Sequence, residues 1–139
     1  MEKRFKDTVK SLMAQQSWWV MATHEPTRRG VPDLSAVVKG RATWLELKYC
    51  CKEITEGDTV SLQHELTAPQ SKMLRDLSQA GALSGVLIGY ENRMCTFIPA
   101  EKLTPGPMKK FTANSVIPID DFIAWLDTQA TDGLTSTAQ

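Results

Sequence analysis

The run from Thr43 to Cys50, Thr-Trp-Leu-Glu-Leu-Lys-Tyr-Cys, constrains this chain more than any other stretch. Its aromatic and alternating apolar residues predict a β-strand, in which successive side chains point to opposite faces. Leu45, Leu47 and Tyr49 then share one face, and Trp44, Glu46 and Lys48 share the other. The first face is core. The second sets two opposite charges beside an aromatic, in a strand where a lone charge costs several kcal/mol unless it is paired or bound to a metal.

Around that strand the sequence reads as one continuous α/β pattern. Residues 2–14 predict a helix, with Phe5, Val9, Leu12 and Met13 on one apolar stripe. Trp18 to Thr23 predicts a strand that runs into a Pro- and Gly-containing loop, Glu25 to Gly30. Leu34 to Val38 predicts a second strand, joined to the third by a turn at Lys39-Gly40-Arg41. Residues 51–66 are polar, with acids at Glu53, Glu56 and Asp58, and read as a long loop. Thr67-Ala68-Pro69-Gln70 has the features of a helix start, and Gly81 stops that helix. Gly85 to Tyr90 and Met94 to Ile98 predict a hairpin of two more strands, and Ile119 to Gln129 a final helix with Phe122, Ile123, Trp125 and Leu126. The order is α-β-β-β-α-β-β-α, an α/β fold with a mixed central β-sheet flanked by helices.

The expected domain plan is a core over 1–103, an irregular connection over 104–117, a helix over 118–130 and a disordered tail over 131–139. The 139 residues suit a single domain with a real core, and an apolar share of 42% is too high for disorder. No apolar run approaches the roughly 18 residues of a membrane span. The charged start Glu2-Lys3-Arg4 lacks a following apolar signal region, so the expected location is the cytoplasm. Cys50, Cys51 and Cys95 are odd in number and lie among apolar neighbours, which suits buried thiols in a reducing compartment. Net charge is zero but divided: residues 1–52 carry ten Lys/Arg against five Asp/Glu, and residues 53–139 carry six against eleven. A neutral chain is a poor generic binder of nucleic acid, although a polarised one can present a basic face.

The chemistry concentrates in Gly30-Val-Pro-Asp33 and, after twelve intervening residues, Glu46-Leu-Lys48. An antiparallel hairpin turning at residues 39–41 sets residue 33 opposite about residue 47. Asp33 thereby joins Glu46 and Lys48. Two hard carboxylates and one ammonium converging from one hairpin suit Mg²⁺ or Mn²⁺.

Pro32-Asp33 with Glu46-Leu47-Lys48 resembles the signature of the PD-(D/E)xK nuclease superfamily. The wider context, Arg29-Gly30-Val31-Pro32-Asp33-Leu34 and Trp44-Leu45-Glu46-Leu47-Lys48 followed by Gln70, is similar to its virus-type replication-repair nuclease (VRR-NUC) branch, with affinities to Holliday-junction resolvases. The resemblance spans about residues 2–90. It implies hydrolysis of DNA phosphodiesters, with Asp33 and Glu46 holding Mg²⁺ (Mn²⁺ substituting) and Lys48 orienting or deprotonating a water or stabilising the phosphate. Gln70 would position the water or Lys48, and Glu2 would be the further acid that the family often places on its first helix. Stand-alone relatives of this size are typical of phages and bacteria, and some act as homodimers on branched DNA. The helix bearing Phe122 and Trp125 is a candidate dimer surface.

Plainer readings stand beside these. Glu46 and Lys48 are alternatively an ion pair on an edge strand, worth under ~1 kcal/mol. Asp33 fits a turn, and Gln70 fits a capping box with Thr67. Glu2 suits a helix N-terminus electrostatically. Arg28 and Arg29 are placed either to contact phosphates or as a solvated loop pair. Lys109 and Lys110 read as surface charge. His24 and His64 are isolated, which suits structural or solvated roles. The tryptophans Trp18, Trp19, Trp44 and Trp125 read as core or interface positions rather than base-stacking platforms. Two functional alternatives remain: a DNA-binding or adaptor protein that keeps the scaffold without cutting, and a nuclease directed at RNA.

Overall fold

Two apolar clusters, one on each face of a six-stranded sheet, organise the chain. The computed structural model describes residues 2–23, 30–50, 52–90 and 93–138, with residues 130–138 as backbone only. The elements are α1 (Glu2–Ala14), β1 (Trp19–Ala22), β2 (Leu34–Val38), β3 (Arg41–Tyr49), β4 (Thr59–Leu66), α2 (Ala68–Gln79), β5 (Leu83–Gly89), β6 (Met94–Pro99), β7 (Met108–Thr112), β8 (Ile117–Pro118) and α3 (Ile119–Ala138). The sheet order is β1-β2-β3-β5-β6-β8, with β3 and β5 parallel and every other pair antiparallel. This is the expected mixed sheet between helices. No helix among the described residues is long and apolar enough to cross a membrane.

The alternation in β3 divides the core as the sequence requires. Leu45, Leu47 and Tyr49 join Phe5, Val9 and Met13 of α1 and Phe122, Ile123 and Leu126 of α3 in the first cluster. On the opposite face Val86 and Ile88 pack with Leu74 of α2 and with Val60, Leu62 and Leu66 of β4. The expected helix stripes are therefore the buried ones.

Three expectations change. Residues 51–66 are not one loop, because Thr59–Leu66 forms β4, paired antiparallel with β7 in a separate two-stranded sheet. The polar residues that gave it a loop-like composition lie on its solvent side, while Val60, Leu62 and Leu66 are buried. The stretch 104–117 is likewise not wholly irregular, since it contains β7 and the first residue of β8. The last helix continues past Gln129 to Ala138.

α3 packs on its own chain. Phe122 is buried in the first cluster, its ring 5.4 Å from that of Phe97 and 5.7 Å from that of Trp125. Phe122 is thus unavailable as the exposed dimer surface envisaged from sequence. Trp18 and Trp125 are partly buried against the same cluster, and Trp44 is half-buried. Of the core and interface alternatives, Trp19 is not core, because it lies on the solvent-facing side of edge strand β1, 58% exposed. Cys50 and Cys95 are buried, and burial pushes the Cys95 thiol up to about 12. Cys51 lies outside the described residues.

Gly89 closes β5 where the Phe5 ring of α1 crosses it, and a Cβ at that position would collide with the ring. Gly89→Ala is expected to destabilise the chain by about 1–3 kcal/mol, the usual range for overpacking a filled core. Urea denaturation checks this, and a variant as stable as the parent would show that α1 is free to shift.

Candidate active site

The β2–β3 hairpin turns on two residues, Lys39 and Gly40, with φ of 50° and 85°, the left-handed pair that such tight hairpins favour. That turn fixes the register. Leu34 pairs with Leu45, so the next position out sets Asp33 opposite Glu46, one residue from the position expected. Both side chains project from the sheet face that also carries Lys48.

The two carboxylates are interlocked through the backbone. The Asp33 N–H donates to Glu46 Oε1 at 3.1 Å, and the Leu47 N–H donates to Asp33 Oδ2 at 3.0 Å. Glu46 and Lys48 are 3% and 7% exposed, which rules out the exposed edge-strand pair. Lys48 Nζ stands 3.6 Å from Glu46 Oε2 and donates to the Glu65 carbonyl of β4 at 3.1 Å. The strand missing from the sequence reading thus supplies the acceptor that steadies the buried ammonium.

Gln70 completes the capping box and also reaches Glu46. Its Oε1 accepts from the Thr67 N–H at 2.9 Å, and Thr67 Oγ1 accepts from the Gln70 N–H at 3.2 Å, completing a capping box. Its Nε2 meanwhile donates to Glu46 Oε2 at 2.8 Å. The cap therefore aims the amide at the carboxylate. Gly30, with φ of 85°, sits against the Pro69 carbonyl so closely that a Cβ there would clash, which brings the segment before Asp33 onto the first turn of α2.

Glu2 lies at the rim. Its Oε1 is 3.6 Å from Lys6 Nζ and its Oε2 is 3.6 Å from His64 Nε2. Lys6 also approaches Asp33 Oδ2, at 3.7 Å, and so stands between the two acids. Sequence reasoning missed Lys6, although its place one turn after Glu2 on α1 was the available signal. It also treated His64 as isolated, because the β4 that carries it was not foreseen. Lys109 and Lys110 are exposed on β7. Arg28, Arg29 and His24 lie outside the described residues.

Burial is the largest influence on Glu46, followed by the Asp33 carboxylate, and together they push its pKa up to about 8. Lys48, the Asp33 N–H and Lys6 oppose this with smaller effects. Among the described residues no three His, Cys, Asp or Glu side chains form a metal cluster by themselves. Two carboxylates beside an amide still fit a magnesium-like ion, which binds through one or two carboxylates and retains several waters.

The fold has solved counterparts. The structure of Hjc, a Holliday junction resolvase from the archaeal hyperthermophile Archaeoglobus fulgidus, superposes with a TM-score of 0.59 at 14% identity, covering 87% of this chain and 98% of that one. The bacterial homing endonuclease I-Ssp6803I superposes with a TM-score of 0.53 at 11% identity, covering 99% and 94%. The chain shares the fold of these nucleases. At such identities the likeness concerns the fold alone. No family model and no curated protein matches the sequence.

A pH response follows from Glu46. Between its ordinary value of 4.5 and about 8, the unfolded chain has released a proton that the folded chain retains. Raising pH through that window therefore favours unfolding, with a limiting slope of about 1.4 kcal/mol per pH unit. Metal-free thermal melts from pH 5 to 8.5 are expected to show a falling Tm, with a flatter profile in Glu46→Gln. Equal slopes in the two proteins would show that Glu46 is not the group responsible.

Proposed function

We propose that this chain is a Mg²⁺-dependent DNA endonuclease of the VRR-NUC branch of the PD-(D/E)xK superfamily. Its proposed substrate is branched DNA such as a Holliday junction, cut by a homodimer in the cytoplasm of a bacterium or a phage-infected cell, with Mn²⁺ able to replace Mg²⁺. The observation that carries this reading is the meeting of Asp33, Glu46, Lys48 and Gln70 at one end of the β2–β3 hairpin, with Glu46 hydrogen-bonded by both the Asp33 N–H and the Gln70 amide. The fold shared with a Holliday junction resolvase and a homing endonuclease supports it. A dimer suits a branched substrate because a two-fold axis sets two sites against symmetric strands.

Asp33 and Glu46 are the residues that would hold the ion. When bound, Mg²⁺ acidifies a coordinated water and neutralises charge developing on the phosphate. Lys48 contributes a compact positive charge, held beside Glu46 and the Glu65 carbonyl, suited to stabilising the phosphate as it gains charge. Gln70 is a positioning residue, since one end of its amide is occupied by the helix cap and the other by Glu46. Lys6 adds a second ammonium beside Asp33.

Supercoiled and branched DNA incubated with Mg²⁺ tests the proposal. The parent is expected to cut, and Glu46→Ala and Lys48→Ala are expected to be inactive. Gln70→Ala is expected to lower metal affinity about 10- to 100-fold, as loss of a supporting hydrogen bond does, and to lose about 1 kcal/mol of helix capping. Binding without cleavage in either metal would instead identify a silent scaffold protein. Cleavage of RNA alone would reassign the substrate.

A further inference from the structure

Three successive rows of side chains cross β1, β2 and β3 on the face that carries the carboxylates. The first contains Asp33 and Glu46, with Thr23 reaching it through its N–H to the Asp33 carbonyl at 2.9 Å. The second is Met21, Ser35 and Trp44, and the third is Trp19, Val37 and Ala42. Alternate residues along a strand are about 7 Å apart, so the second row lies that far from the carboxylates and the third about twice as far.

Neither outer row carries a charge. Trp19, Met21 and Val37 are the exposed large hydrophobic side chains of the described residues, at 58%, 47% and 42%, and all three fall in these two rows. The half-buried Trp44 adjoins them. Ser35 in the same rows is buried, and its Oγ has no hydrogen-bond partner within the structure. An apolar, aromatic surface in register with a phosphate-directed site, on the same sheet face, matches a nucleobase, which has a π-face to stack.

We infer that the sheet face formed by Trp19, Met21, Val37 and Trp44 receives unpaired bases of the DNA strand whose phosphate sits at Asp33 and Glu46. This rests on the nuclease reading and narrows its substrate to DNA with unstacked bases next to the cut. Paired bases present no free π-face to a flat sheet, whereas bases splayed at a fork do. A second copy of the chain is the competing occupant, and sedimentation of Trp19→Ala distinguishes the two.

The test compares a forked DNA having unpaired bases at the junction with a continuous duplex of equal length. Binding is read by fluorescence anisotropy in metal-free buffer and cleavage in Mg²⁺. Trp19→Ala is expected to reduce the preference for fork over duplex about 10-fold, in line with the loss of one stacked base. Trp19→Phe should retain most of that preference, whereas Trp19→Leu should behave like Trp19→Ala, separating stacking from simple apolar contact. An unchanged fork-to-duplex ratio, no binding of the fork by the parent, or conversion of a dimer to a monomer by Trp19→Ala in sedimentation would each overturn the inference. If the parent fails to cut but the ratio falls as expected, the stacking surface stands and the nuclease reading fails. If it cuts with the ratio unmoved, the reverse holds.

Discussion

Burying Glu46 and Lys48 in the floor of a sheet is the constraint around which this fold is arranged. Removing an ion from water carries a penalty of several kcal/mol even after relaxation, and mutual attraction offsets it only when the remaining hydrogen-bonding capacity is also met. Here the partners come from separate parts of the chain. The Asp33 N–H precedes β2, the Gln70 amide belongs to the first turn of α2, and the Glu65 carbonyl lies in β4. Three elements distant in sequence are therefore tied to one strand. Packing of the second apolar cluster brings α2 and β4 to the right depth for those contacts.

The two faces of the sheet consequently have different tasks. The α1 and α3 face is apolar throughout its centre and fixes the curvature and register of the strands. The other face is divided: toward β5 and β6 it is a conventional core beneath α2 and β4, and toward β2 it opens into charged groups. Site and core share β3, so side chains two residues apart on one strand pass from Trp44 to the interlocked carboxylates. Rigid support on one side permits a polar, partly open arrangement on the other.

What was legible in the sequence follows the range of the interactions concerned. The β2–β3 hairpin and its three charged residues were readable because a period of two and a short turn fix both face and partner within about fifteen residues. Stripes of Phe5, Val9 and Met13 and of Phe122, Ile123 and Leu126 were readable for the same reason at helical spacing. β4 was not, because it pairs with β7 across a long separation and shows mostly polar residues to solvent. Its absence hid two further facts, the acceptor for Lys48 and the partner of His64. Gln70 was ambiguous from sequence since the capping pattern is local while its contact with Glu46 is tertiary. Lys6 was overlooked because periodicity assigns a residue to a helix face, not how far its side chain reaches around the end of a sheet.

Charge counting links these observations to the proposed chemistry. Around the hairpin, Lys6 and Lys48 bring two positive charges and Glu2 and Asp33 two negative ones. Glu46 decides the sum. With its proton retained, as burial and Asp33 favour, the metal-free site is balanced. A divalent cation must displace that proton to use Glu46 as a ligand, so ion and proton compete for the same oxygens. As proposed, that exchange would leave one net positive charge at the site, the complement of a single phosphodiester. On the proposed reading, the same burial that makes Glu46 costly to ionise leaves the empty site neutral and turns the loaded site into a receptor for one phosphate.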